Sequence, residues 1–141
     1  MEKISSNVLE TIDDADIVGI EAPAYGMRNG GKMHDRSGLW WRIVGALEDR
    51  GVPVVEVSPT SRMMYATGKG NAGKDLVLVT AASTYRQAEI TGNDVADATV
   101  VAAMVSRLAG QPIELRDPAQ AKLRALSKIQ MPARGVPLSA A

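Results

Sequence analysis

Three acidic residues stand where carboxylates could hold a metal ion. Glu21 directly follows the short apolar run at residues 17–20, at the point where a buried strand would end. Asp94 and Asp97 are three positions apart near the start of an otherwise apolar segment, so a helix would place both on one face. An oxygen-only ligand set suits Mg²⁺ or Mn²⁺ rather than zinc. Two such ions about 4 Å apart can activate a water and stabilise the leaving oxygen in phosphodiester hydrolysis.

The octet GKGNAGKD at residues 68–75 has the spacing of a phosphate-binding P-loop up to its last position. A P-loop needs Ser or Thr there because a hydroxyl ligates Mg²⁺, and this chain has Asp75. The preceding TSRMMYAT is also a poor candidate for the strand that a P-loop follows. We therefore expect no nucleotide cofactor. The alternative is a P-loop nucleotide binder, which saturable ATP or GTP binding that is lost in Lys74→Ala would support.

The elements around these residues follow from hydrophobic periodicity. Helical spacing predicts helices at residues 2–13 and 39–47, and short β-rich runs predict strands at 17–20 and in VPVVEVSP. The order strand, helix, strand indicates a βαβ crossover with parallel neighbouring strands, whose carboxyl edge is where ligands bind. Four glycines predict a loop over residues 24–38. PTSRMMYATG is interpreted as a short helix or turn.

Three further helices are predicted in the second half of the chain. The first runs from about residue 74 to 86. The second is TGNDVADATVVAAMVSRLAG, with Thr91 or Asn93 as its N-cap and Gly110 as its stop. The third is the amphipathic RDPAQAKLRALSKIQ.

The composition is that of one globular domain with an aliphatic core. The 141 residues are 45% hydrophobic and 23% charged, with no Phe. Because the formal net charge is zero, binding to nucleic acid has to depend on a local basic patch. The lack of cysteine excludes disulfides, thiolate zinc sites and a cysteine nucleophile. No long apolar run or signal peptide is visible, so we expect a cytoplasmic protein without membrane contact.

Four motifs, in order, resemble those of RuvC-type Holliday junction resolvases, above all phage-borne members of this RNase H-like family. They are VGIEAPAYG, the G-x-P-V-x-x-V-x-P strand at residues 51–59, YATGKGNAGKD and NDVADA. The resemblance covers residues 16–110, and YATGKGNAGKD with IEAP upstream is its most specific part. It implies a three-layer α/β fold of the RNase H-like class. The nuclease domain would span residues 1–110, and residues 111–141 would form a C-terminal helix and flexible tail.

The resemblance also implies roles for individual residues. Glu21 matches the family's acidic metal ligand at the end of this strand, and Asp94 and Asp97 match two more ligands for Mg²⁺ or Mn²⁺. Lys69 and Lys74 match loop lysines that meet the DNA backbone, with Lys74 among the catalytic residues. The implied activity is metal-dependent cleavage of four-way or other branched DNA by a homodimer, in the host cytoplasm if the protein is phage-encoded.

Further contacts are predicted around the glycine-rich segment. Its basic residues are predicted to contact DNA: Arg28, Lys32 and Arg36. Tyr25 is interpreted as a platform for an unpaired base, with loop packing as the alternative. Trp40 and Trp41 are adjacent and so lie about 100° apart on a helix, which takes one of them off the core face. We interpret that one as a dimer contact, with a half-buried Trp of the monomer as the alternative.

The chain departs from the family pattern at its start. Family members begin with a strand such as GIDPG, whose Asp is a fourth metal ligand, and two antiparallel strands follow it. The sequence has no such segment, so we expect a chain that starts at an internal Met, lacks the first strands of the mixed sheet and holds metal weakly. This leaves a second function open, a non-catalytic DNA-binding or dimerising remnant.

Simpler interpretations of the charged residues also remain open. Glu21 could be a surface residue at a strand end, and Asp94 could simply favour a helix N-terminus. Lys69 and Lys74 could be solvated loop lysines. For Asp97, which lies deeper in an apolar segment, a solvated role is less natural.

Overall fold

The computed structural model of this chain describes residues 2–23 and 32–132, except for the side chains of residues 32–35. Within these ranges the elements are α1 (Glu2–Thr11), β1 (Val18–Glu21), α2 (Lys32–Asp49), β2 (Val54–Val57), α3 (Pro59–Thr67), α4 (Lys74–Thr84), α5 (Asn93–Leu108) and α6 (Gln120–Ser127). The strands pair as parallel neighbours, which confirms the predicted βαβ crossover. No helix in these ranges is both long and apolar enough to cross a membrane.

The helix between the two strands begins earlier than the glycine content predicts. We predicted a loop over residues 24–38, but α2 begins at Lys32 and continues through Gly38. The loop prediction is therefore wrong for residues 32–38, while residues 24–31 lie outside the described part. A glycine inside a helix costs only about 1 kcal/mol relative to Ala. Later turns of α2 offset this cost because they bury Val44 and Leu47.

The chain divides into two compact units. The first contains α1 and α2, which pack on each other. Within it, Arg50 pairs with Asp13 at 3.1 Å, and its Nη1 also donates to the Leu9 carbonyl at the end of α1. Because this ion pair is exposed, its contribution to stability is small.

The second unit comprises residues 19–21 and 55–131, and so includes most of both strands and α3 to α6. In this unit α4 and α5 pack on each other, and α3 contacts α4, α5 and α6. Its buried residues are aliphatic, as the composition predicted, and include Val55, Val57, Val100 and Met104. Residues 111–131 belong to the same unit as α3 to α5, so the C-terminal helix packs with the core elements.

The ends of α3 and α5 are set by local chemistry. The Ser58 hydroxyl accepts a hydrogen bond from the Ser61 N–H at 3.1 Å, and Pro59 opens α3. Gly68, with φ of 82°, closes α3 by donating its N–H to the Met64 carbonyl at 2.8 Å. The segment interpreted as a short helix or turn is thus a helix.

The predicted N-cap of α5 was wrong, although its predicted stop is confirmed. The cap is Gly92, which offers no side-chain hydrogen bond, in place of Thr91 or Asn93. Asp94 in the first turn supplies the negative charge that the start of a helix favours. Gly110, with φ of 85°, follows the end of the helix as expected.

Gly19 allows β1 to lie directly against α5. A Cβ at this position would stand 2.6 Å from Val101 Cγ1 and 2.7 Å from Val105 Cγ2. Valine side chains are stiff at χ1, so they cannot turn away easily. We expect Gly19→Ala to lower the free energy of unfolding by about 1–3 kcal/mol, measured by urea denaturation. Gly45→Ala in α2 is the matched control because a Cβ there meets nothing within 4 Å. Equal urea midpoints for the two variants would contradict this close packing.

Candidate metal and nucleic-acid site

A buried arginine joins two of the three predicted acidic residues. Arg62 Nε donates to Glu21 Oε2 at 2.9 Å, and Arg62 Nη1 donates to Asp97 Oδ1. The Arg62 side chain is 10% exposed, whereas the side chains of Glu21 and Asp97 are 41% and 31% exposed. Two carboxylates that are distant in the chain therefore meet at one guanidinium, and both remain open to solvent.

Three elements of the second unit bring these side chains together. Glu21 is the last residue of β1, and Arg62 lies in α3, which begins directly after β2. Because the carboxyl ends of parallel strands meet at one edge, the end of β1 and the start of α3 are neighbours. Asp97 comes to this edge from the second turn of α5, which packs on α3.

Asp94 is not part of this ion-pair group. It is exposed at the start of α5, and its side chain makes no hydrogen bond or ion pair within the described ranges. Among the described side chains, those of residues 2–23 and 36–132, no three His, Cys, Asp or Glu are grouped so that they could hold a metal ion. The structure thus brings together two of the three predicted ligands, and Asp94 lies one helical turn before Asp97.

The donor chemistry of Glu21 and Asp97 fits a hard divalent cation. Carboxylate oxygens are the ligands of Mg²⁺, which is usually bound by one or two carboxylates together with waters and substrate phosphates. Both side chains are partly exposed, so an ion can reach them from solvent. On these grounds Glu21 and Asp97 together fit one divalent ion. Arg62 donates hydrogen bonds to one oxygen of each of these carboxylates.

The basic glycine loop at residues 68–73 connects α3 to α4. Lys69 and Lys74 are exposed, and Lys74 is the first residue of α4. Gly70 lies close to α3, since a Cβ there would stand 3.0 Å from Thr60 Cγ2. A helix precedes this loop, whereas a P-loop follows a strand. The element order therefore does not support a P-loop. The loop begins at the end of α3, the helix that carries Arg62.

A second buried polar group lies around Glu114, and sequence reasoning did not identify it. Glu114 Oε1 accepts hydrogen bonds from the hydroxyls of Tyr65 and Tyr85 at 2.8 and 2.7 Å. Glu114 Oε2 accepts one from Arg107 Nη2 at 3.1 Å, and Arg107 Nε donates to the Tyr65 hydroxyl at 3.1 Å. We call these four residues the Glu114 network. It ties the segment after α5 to α3, to α5 and to the end of α4.

Burial and hydrogen bonding shift the pKa values in the Glu114 network. Burial, with the bond to Glu114, raises the pKa of Tyr65 to about 12, and the same causes raise the pKa of Tyr85. For Glu114, burial by itself would raise the pKa, but the hydrogen bonds from Tyr85, Tyr65 and Arg107 outweigh it and lower the pKa below 4.5. At neutral pH both phenols therefore keep their protons and donate hydrogen bonds to an ionised Glu114.

Lys122 connects α6 to the last turns of α3. Its Nζ donates to the Tyr65 carbonyl at 2.7 Å and lies 3.9 Å from the centroid of the Tyr65 ring. Burial lowers the pKa of this lysine. A cation near the carbonyl end of a helix is favourable. α6 therefore supports the end of α3 from which the basic glycine loop departs.

The remaining predicted contacts fall mostly outside this unit. Tyr25 and Arg28 lie outside the described residues, and Lys32 is described only as the first backbone position of α2. Arg36 is exposed on α2. Trp41 is 62% exposed, whereas Trp40 is half-buried, and the two rings meet edge to face with centroids 4.8 Å apart. One tryptophan thus leaves the core as expected, and its role in a dimer remains a prediction.

The order of the elements is that of an α/β protein with an RNase H-like fold, and the described part contains two parallel strands. Among solved structures, the chain is similar to RuvC of Thermus thermophilus, with a TM-score of 0.61 and 21% identity over 81% of this chain and 71% of that one. It is also similar to T. thermophilus RuvC in complex with Holliday junction substrate, with a TM-score of 0.61 and 20% identity over 77% and 68%. No protein-family model matches, and no curated protein is significantly similar in sequence. At this identity the likeness establishes a RuvC-like fold.

Proposed function

We propose that this chain is a structure-selective endodeoxyribonuclease that hydrolyses phosphodiesters in branched DNA with Mg²⁺ or Mn²⁺. The observation that carries the proposal is the meeting of Glu21 and Asp97 at the carboxyl edge of β1 in a chain with a RuvC-like fold. A four-way junction is the favoured substrate because one similar structure holds a Holliday junction. On the basis of the four motifs, we also propose that the chain is a phage-borne member of the resolvase family.

Each proposed site residue has a distinct task. Glu21 and Asp97 would hold the ion, and Asp94, one helical turn earlier and outside the Arg62 ion pairs, is the proposed third carboxylate. The bound ion supplies activation of a water and stabilisation of the leaving oxygen. Lys69 and Lys74 contact backbone phosphates, and the ammonium of Lys74 offsets charge that develops at the scissile phosphate.

A homodimer fits this function because a four-way junction has approximate two-fold symmetry. Two subunits related by a two-fold axis would present two equivalent sites and make paired nicks. Trp41 is a suitable contact, since a large aromatic side chain exposed to this degree is typical of interfaces. Trp40 packs edge to face against it and would stiffen the contact.

A non-catalytic DNA-binding or dimerising protein is the second candidate, and Arg62 favours it. The guanidinium already pairs with both Glu21 and Asp97 and offsets one of their two negative charges. The described part of the chain also places no third metal-capable side chain beside them. Under this alternative the basic glycine loop still binds DNA, but no ion is held for hydrolysis.

Binding and cleavage of a four-way junction separate the two candidates. Gel shifts in EDTA measure binding, and nicking of the same labelled junction is followed after Mn²⁺ is added. The nuclease proposal requires both, and binding without nicking supports the second candidate. Equal affinity for the junction and a linear duplex of the same length would contradict a branched-DNA role in either form.

We expect the double variant Lys69→Ala/Lys74→Ala to bind the junction about tenfold more weakly at moderate salt. Each lost phosphate contact also reduces the slope of log affinity against log salt by about one. Fluorescence anisotropy over a series of NaCl concentrations measures both quantities. Lys128→Ala is the matched control because Lys128 is an exposed lysine at the end of α6 without an assigned contact. A slope equal to that of the unaltered chain would remove both lysines from the DNA interface.

A further inference from the structure

Arg62 is the most enclosed charged side chain of the proposed metal site. Its side chain is 10% exposed, less than those of the two carboxylates that it bonds. Its Nε and Nη1 point to different partners, so one planar group holds side chains from β1 and α5. Since two carboxylates repel each other, the charge of Arg62 stabilises their approach. The guanidinium thus fills the electrostatic role that a bound cation would have.

We propose that Arg62 is an internal counter-cation that competes with a divalent metal ion for Glu21 and Asp97. This inference rests on the proposed metal-dependent function. The chain holds its two carboxylates together without metal because the positive charge of Arg62 offsets one of their two negative charges. A metal ion that approaches these carboxylates meets a positive charge, and to take the oxygens that Arg62 holds it has to open two hydrogen bonds. Arg62 therefore makes the fold independent of metal and weakens metal binding.

The chemistry of arginine makes this competition unavoidable at neutral pH. A guanidinium stays protonated in proteins, so it cannot relieve the repulsion by losing a proton. The side chain has to move, or the ion has to bind beside a like charge. A lysine could bond the same carboxylates only through a single nitrogen, whereas the guanidinium presents fixed nitrogens to both.

Removal of the charge tests the proposal, with Mn²⁺ as the probe. Arg62→Met keeps an unbranched side chain in the buried position and removes the charge. We expect Mn²⁺ to bind at least about tenfold more tightly to this variant in calorimetric titrations, because a like charge close to the ion is gone. We also expect a lower Tm than that of the unaltered chain in EDTA, together with a larger rise in Tm on addition of Mn²⁺. An unchanged or weaker Mn²⁺ affinity would overturn the proposal.

Two further variants control the experiment. Arg50→Met removes an exposed arginine paired with Asp13 and should leave the Mn²⁺ affinity unchanged. Arg62→Lys retains the charge and should keep the affinity close to that of the unaltered chain. If Arg62→Met is unfolded in EDTA, folding on addition of Mn²⁺ supports the proposal, and failure to fold in Mn²⁺ contradicts it.

The outcomes also separate this inference from the proposed function. If Mn²⁺ binds the unaltered chain and binding is lost in Asp97→Asn, the metal site stands. The Arg62 proposal then stands or falls on Arg62→Met alone. If Mn²⁺ binds only after Arg62→Met, the competition is confirmed and the non-catalytic candidate is favoured. If neither protein binds Mn²⁺, both the metal site and the competition are wrong.

Discussion

Replacing Asp97 with Asn is expected to reduce divalent-metal-dependent nicking of a four-way junction by more than about 100-fold. Groups that only hydrogen-bond to metal ligands already contribute about 10- to 100-fold to metal affinity or activity, and Asp97 is proposed as a ligand itself. The amide oxygen of Asn can still accept the bond from Arg62 Nη1, so the local packing is retained. Junction binding should survive because it depends on the basic glycine loop.

The measurement compares nicking in Mg²⁺ and in Mn²⁺ with gel shifts in EDTA. Asp117→Asn is the matched control, since this exposed aspartate lies outside the proposed site. A parallel Asp94→Asn variant tests the third ligand, and a loss of similar size would place Asp94 in the working site. Equal nicking by Asp97→Asn and the unaltered chain would rule out the metal assignment.

Glu114→Gln is expected to lower the free energy of unfolding by about 3 kcal/mol at neutral pH. The carboxylate accepts bonds from two phenols and one guanidinium, and its side chain is only 10% exposed. A Gln amide has a single acceptor oxygen, so the variant leaves Arg107 partly uncompensated in a buried position. Loss of one partner of a buried ion pair costs about 3–5 kcal/mol, and the oxygen that Gln retains places the effect at the low end.

The pH dependence of this effect has a defined sign. Since folding lowers the pKa of Glu114 from 4.5, its ionised form contributes stability that is fully present above pH 4.5 and is lost as the pH falls through the lowered value. The stability difference between the two proteins should therefore shrink on acidification below pH 4.5. Urea denaturation at a series of pH values measures it, with the exposed Glu89→Gln as the control. A difference that stays constant down to pH 3 would contradict an ionised Glu114 in the network.

The two predictions meet at α3. This helix carries Arg62, contributes Tyr65 to the Glu114 network and ends where the basic glycine loop begins. Lys122 from α6 holds the Tyr65 carbonyl near that end. The segment after α5 therefore supports the helix on which both the ion pair and the proposed phosphate contacts depend.

Sequence patterns that span a few residues predicted most of the helices and strands, and they placed Glu21 at the edge of the sheet. The apolar run before Glu21, the period of α5 and the glycine that follows α5 indicate structure because their signals lie within a few residues. The βαβ order then places Glu21 at the carboxyl edge of the sheet. Local rules failed at the start of α2 and at the cap of α5. At the start of α2, packing of the later turns offsets the low helix propensity of Gly38. At the start of α5, the charge of Asp94 offsets the lack of a side-chain cap.

Only the tertiary structure identifies the residues that pair with the buried charges of Arg62 and Glu114. Arg62 had one usable signal, since a helix that starts directly after β2 lies at the same edge as Glu21. Glu114 had none, because it lies in an irregular segment and its partners come from α3, α5 and the end of α4. Which of Asp94 and Asp97 reaches Arg62 likewise depends on the rotation and depth of α5 against α3. Pairings of this kind join residues that are distant along the chain, so no periodicity in the sequence encodes them.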